Sequence, residues 1–131
     1  MPSLTIEDRT STGDPTGSIT LPGLPDRITL RELIRLRVRE EVARYNLGPS
    51  GLFRGLVQPG GSEAAGGGFR MPDRQAIDWQ AQADVAIERF LANAYFVLVN
   101  GKQVTDLETR LDLTHEHLAV RFIRLPPLAG S

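Results

Sequence analysis

Cysteine is absent from the 131 residues, which excludes disulfide scaffolds, thiolate zinc sites and a cysteine nucleophile. Long apolar runs are missing too. No stretch approaches the ~18 residues of a membrane span. The opening Met1-Pro-Ser-Leu-Thr-Ile-Glu-Asp8 has neither the basic nor the apolar region of a secretion signal. Neither charge sign dominates: 15 Lys+Arg stand against 16 Asp+Glu, a net charge of -1, so the sequence suggests neither polyanion binding nor a basic tail. The expectation is a soluble cytoplasmic protein with no nucleic-acid or membrane partner. Lysine is almost missing. Of the 15 basic residues, 14 are Arg and only Lys102 is Lys. At this length the chain fits one domain with a real core.

Alternation at Leu4–Thr10 and again at Ser18–Leu21, around the turn formers of Thr12–Gly17, predicts a hairpin with a loop longer than two residues. Pro22-Gly-Leu-Pro25 ends it. A helix is expected from about Leu30 to Tyr45. Thr29 and Glu32 have the spacing of a capping box, and Ile28 and Leu33 that of a hydrophobic staple. Leu30, Leu33, Ile34, Val38 and Val42 recur at helical spacing as its buried stripe. Gly48-Pro49 stops it.

Residues 46–94 read as an insertion: a flexible loop over 46–72, then a helix over 73–94. The loop holds Gly60-Gly61 and Gly66-Gly67-Gly68 and is too long for a simple connection. Within it, Leu52–Val57 suits a short strand or turn. Asp73 is the expected helix cap. Trp79, Ala83, Ala86, Ile87, Phe90, Leu91 and Ala94 share one face and are read as core.

Tyr95-Phe-Val-Leu-Val99 is a buried-type strand, and Asn100-Gly101 the strongest short hairpin signal, since both residues tolerate positive φ. Lys102–Thr105 is the return strand. Asp106–Leu113 is a compact connection with Leu107, Leu111 and Leu113 as core plugs. His117–Leu125 is the last strand, with Leu118, Val120 and Phe122 on one side and Arg121 on the other. Pro126-Pro127 cannot continue a ladder, so 126–131 is expected to be a flexible tail.

At Val99-Asn-Gly-Lys-Gln-Val-Thr-Asp106 the chain resembles ubiquitin, which has the same Gly-Lys-Gln after its third strand, then an aliphatic residue and an acidic turn. A Thr-capped helix and a last strand leading into a slim tail add to the likeness, which covers about residues 3–45 and 95–131. The resemblance implies an α+β, ubiquitin-like β-grasp fold (a ββαββ mixed sheet) interrupted by 46–94. The added helix is similar to the divergent ubiquitin-like modifiers of bacterial antiphage operons. It implies these partners: an E1-like activating enzyme, an E2-like conjugating enzyme, a metal-dependent deconjugating peptidase and target proteins. In such a protein the carboxylate attacks the α-phosphate of ATP, becomes an acyl-adenylate and passes to an enzyme nucleophile. The modifier is not itself an enzyme and holds no cofactor.

Residue by residue, the resemblance assigns conjugation to Leu128, Ala129, Gly130 and Ser131, chain linkage to Lys102, and the centre of a recognition patch to Leu98. Family tails end in Gly-Gly. Here one Gly remains and Ser131 follows it, so an altered end, a natural Gly-Ser end and a precursor cut after Gly130 all stay open. At the neighbouring patch position stands Arg121 rather than an aliphatic residue. Two other functions fit the same fold: a non-covalent binding or adaptor module, and a sulfur carrier.

Other constellations carry less. His115-x-His117 would share a strand face, but no third metal ligand lies near. The glycine-rich stretch lacks the Gly-Lys-Ser/Thr of a P-loop. Arg31, Arg35 and Arg39 form a ridge at i, i+4, i+8 on the first helix. It is read as a solvated face offset by Glu32, Glu40 and Glu41, or as a docking face for an acidic partner.

Overall fold

The computed structural model describes residues 2–47, 52–65, 68–71 and 76–125. Among these residues it is a mixed α+β structure with a five-stranded mixed sheet and two helices. The residues group into two compact units: Met1–Leu33 with Arg89–Ser131, and Ile34–Glu88. Where the sequence sets off 46–94, packing sets off 34–88.

In the first unit, β1 (Leu4–Thr10) and β2 (Pro15–Leu21) form the expected hairpin, with a register shift at Asp8/Arg9. β2 begins three residues earlier than the alternation suggested. Pro15 can join the strand because β2 is at the sheet edge, where a missing N–H costs no ladder bond. A short β3 (Arg27–Thr29) leads into α1 (Leu30–Leu47). The capping box is formed: the Glu32 amide donates to Thr29 Oγ1 at 3.1 Å and the Thr29 amide to Glu32 Oε1 at 3.2 Å. The next free helical amides also find acceptors. Leu30 N–H donates to the Thr109 carbonyl and Arg31 N–H to the Leu107 carbonyl, both at 2.9 Å.

Past α2 (Trp79–Leu91), the first unit continues with β7 (Tyr95–Val99) and β8 (Lys102–Val104). The two are joined by Asn100 (φ 51) and Gly101 (φ 81), both in the left-handed region that a type I′ turn requires. β9 (Arg110–Asp112) pairs with β3. β9 lies in the segment expected as a compact connection, and β3 in the approach to the helix cap; Leu107, Leu111 and Leu113 are buried, as expected of core plugs. β10 is Val120–Arg124, shorter than the 117–125 expected.

The large sheet runs β2-β1-β10-β7-β8. β10 lies parallel to β1 (Ile6 beside Val120) and antiparallel to β7 (Val120 beside Val99). Period-two alternation turns Ile6, Ile19, Val97, Val120 and Phe122 to the buried face. Tyr95 stacks on Phe122 (5.7 Å between centroids, 13° between planes) and Phe90 tilts against Tyr95 at 5.9 Å. Burying a side chain of the size of Phe122 stabilises by about 1.5–3 kcal/mol.

In the second unit, Ile34, Val38 and Val42 of α1 are buried as expected, as are Ala83, Ala86 and Ile87 of α2. The glycine-rich stretch expected as a flexible loop carries strands. β4 (Leu52–Phe53), β5 (Glu63–Ala65) and β6 (Gly68–Arg70) form a small antiparallel sheet with β6 in the middle. Gly68 has a steric reason: a Cβ there would lie 2.5 Å from the Phe53 carbonyl oxygen. Side chains tie this segment to the helices. Gln82 Nε2 donates to the Val57 carbonyl at 2.8 Å, and Leu56 N–H donates to Glu41 Oε1 at 3.1 Å. Asn46 both donates to and accepts from the Ile77 backbone. Tyr45 meets Phe53 edge-on at 5.8 Å.

α2 starts at Trp79, later than expected. The expected cap, Asp73, lies outside the described residues; Asp78 does the capping, its Oδ1 accepting from Gln80 N–H at 3.0 Å. The helix ends at Leu91, which is exposed together with Ala94, contrary to their expected place on the buried face. Asn93 (φ 61) takes the left-handed cap conformation there.

Candidate functional site

The face of the large sheet opposite the core is the candidate recognition surface. Alternation brings Glu7 and Arg9 of β1, Arg121 and Ile123 of β10, and Phe96 and Leu98 of β7 to this face, all half-buried. Leu98 lies directly across from Arg121, and Ile123 across from Phe96. Glu7 joins the two sides of the charged row: one carboxylate oxygen binds Arg9, and the other lies 3.6 Å from Arg121 Nε. The Arg9 hydrogen bond holds the Glu7 carboxyl below its ordinary value. The charges of Arg9 and Arg121 act the same way, against a smaller-than-sufficient desolvation.

The Leu98–Arg121 juxtaposition joins two residues singled out from sequence. Phe96, Ile123 and Glu7 were missed. An unbroken apolar run such as Tyr95–Val99 gives no alternation signal, so nothing marked Phe96 as outward-facing.

Lys102 is exposed at the start of β8 and pairs with Val99. Register therefore puts it on the opposite side of the sheet from Leu98. Asn100 fixes the hairpin tip against the approach to β10: its Oδ1 accepts from Ala119 N–H and its own N–H donates to the Ala119 carbonyl, both at 2.8 Å. On the inner side, Arg124 at the end of β10 reaches Asp8 at 3.3 Å. The residues assigned to conjugation, Leu128, Ala129, Gly130 and Ser131, lie outside the described residues.

The arginine ridge is held differently from the expectation. Arg31, in the first unit, pairs with Glu108 at 2.9 Å. Arg35, in the second, pairs with Asp84 at 3.0 Å, and it and Arg39 both lie over the Trp79 ring. Glu41 faces no solvent; it is buried against Arg37. Trp79, read as core, is half-exposed beneath its two arginines.

His115 and His117 are exposed in the turn before β10. Among the described residues no cluster of three or more His, Asp or Glu side chains could hold a metal ion, and no helix is long and apolar enough to cross a membrane. No protein-family model, no curated protein and no solved structure matches the chain.

Proposed function

We propose that the chain is a ubiquitin-like modifier with a β-grasp sheet. Its tail carboxylate is adenylated by an activating enzyme and passed through a conjugating enzyme to target proteins, with a role in bacterial antiphage defence. The observation that carries this reading is the order β2-β1-β10-β7-β8 with β1 and β10 parallel. This order, with an interior strand preceding the tail, supports the β-grasp reading. The capping box at Thr29 and the Asn100-Gly101 hairpin support the same reading. In this scheme the protein supplies the carboxylate and the surfaces that partners grip, while the catalytic groups belong to the enzymes. With one lysine in the chain, self-conjugation through a side chain is confined to Lys102.

The test uses two forms of the protein, one ending at Gly130 and one at Ser131. Each is mixed with ATP and the activating enzyme of its own host, and intact-mass spectrometry reads the products. A covalent enzyme adduct with either form is expected. An active enzyme that leaves both forms free overturns the proposal.

A second reading, a non-covalent adaptor, is favoured by Arg121. Its charge stands beside Leu98 and is tied to Glu7, unlike the aliphatic patch on which ubiquitin partners dock. Removing residues 128–131 abolishes the first function and leaves this one intact.

A further inference from the structure

Two arginines share one indole in the second unit. The guanidinium carbons of Arg35 and Arg39 lie 5.6 and 5.8 Å from the Trp79 ring centroid. Their situations differ. Arg35 is neutralised by Asp84 at 3.0 Å. Arg39 is exposed and, among the described residues, has no carboxylate within ion-pair reach; its neighbour Glu40 is already engaged by Arg44 at 3.0 Å. A guanidinium held over an aromatic ring keeps its N–H edge free while the ring restricts its motion, so less entropy is lost when it grips an anion. The half-exposed indole adds an apolar wall beside that edge.

We propose that Arg39 and Trp79 form a docking site for a glutamate- or aspartate-containing peptide segment of a partner protein. The carboxylate takes the Arg39 fork and an adjacent apolar side chain rests on the indole. The charge balance selects this occupant. Asp84 occupies Arg35 at 3.0 Å, so of the two guanidiniums over the indole Arg39 is the one left to take a single carboxylate. Asp84 is well exposed (71%) and repels a dianionic phosphate or a nucleic-acid backbone. This proposal does not rest on the modifier reading.

Trp79 is the only tryptophan, so its indole N–H resonance and its fluorescence report on this site alone. The full chain is titrated with the capped peptide Gly-Leu-Glu-Leu-Gly, its Gln and phosphoserine counterparts, and a single-stranded DNA oligonucleotide. The Glu peptide is expected to give a saturable shift, and the Gln peptide to bind about tenfold more weakly, the value of one charge-assisted hydrogen bond. Arg39→Gln abolishes the response with an unchanged unfolding midpoint. Asp84→Asn, which frees Arg35, tightens it severalfold. No saturable shift with the Glu peptide, an equal response to the Gln peptide, or tighter binding of the phosphoserine peptide or the oligonucleotide overturns the proposal.

Discussion

Arg37 and Glu41 sit one helical turn apart on α1 with their side chains 1% and 3% exposed, Arg37 Nε donating to Glu41 Oε2 at 3.2 Å. The other carboxylate oxygen accepts the Leu56 amide at 3.1 Å. A buried ion pair of this kind is costly to break from one side, because the remaining charge stays in a poorly solvated place. Glu41→Ala removes the carboxylate that accepts from both a buried guanidinium and a backbone N–H, and is expected to destabilise by about 3–5 kcal/mol. Urea unfolding followed by Trp79 fluorescence, a probe within the same unit, measures it. A loss under about 1 kcal/mol would mean that the pair is not what holds residues 52–57 to the helix.

Acid should weaken the large sheet through Glu7. Its carboxyl is held below the ordinary 4.5, first by the Arg9 hydrogen bond and then by the nearby Arg9 and Arg121 charges. A folded-state value below the unfolded one contributes stability that is present above 4.5 and lost as pH falls through the folded value. Asp112, lowered by the Thr114 hydroxyl and amide, adds a slope of the same sign. Thermal unfolding from about pH 6 to about pH 3 should therefore show a declining midpoint, with a shallower decline in Glu7→Gln. Equal slopes in the two proteins would exclude Glu7 as a contributor.

Two glycines should respond to alanine for different reasons. At Gly101 (φ 81) no atom lies within 4 Å of a new Cβ, so Gly101→Ala costs only the left-handed backbone, about 1–2 kcal/mol. At Gly68 the φ is ordinary but the Phe53 carbonyl oxygen blocks the space. Gly68→Ala must push β4 from β6, for a cost of about 1–3 kcal/mol. Amide hydrogen exchange distinguishes them: the first should loosen β7 and β8, the second β4 and β6.

The capping box predicts a reciprocal pair. Thr29→Ala and Glu32→Ala each remove one side-chain-to-amide bond of the box, and both remove the hydroxyl–carboxylate bond between the two side chains at 3.1 Å; the Thr29 change should cost about 1 kcal/mol. The double variant should cost less than the sum of the singles, as for groups that position one another. Additive losses in denaturant titrations would show that the two side chains act separately.

How much of this was legible depended on whether the signal was local. Thr29 with Glu32, and Asn100 with Gly101, are short-range devices whose physics is complete within four residues, and both were readable. β3 and β9 were not: each is three residues long, and Ile28 and Leu111 become strand residues only by meeting each other across the chain. The small sheet of the second unit was hidden by its glycines, which suggest a linker until Gly68 is seen pressed against Phe53. Glu41 looked like part of a solvated face, and Arg37 went unremarked, because helical spacing alone does not tell which charged stripe turns inward. At the candidate site, Leu98 and Arg121 were named separately; only the register of β7 on β10 set them side by side.

The parallel pairing of β1 with β10 constrains how the protein can be made. Ile6 cannot find Val120 until the ribosome has released more than a hundred further residues. β1 and β2 must wait as an incomplete ribbon while the contiguous 34–88 stretch has already emerged. Such distant pairings form slowly, and they leave the flank of β1 open to foreign strands throughout synthesis. Mispairing is therefore most favoured before residues 120–124 emerge to cover that flank.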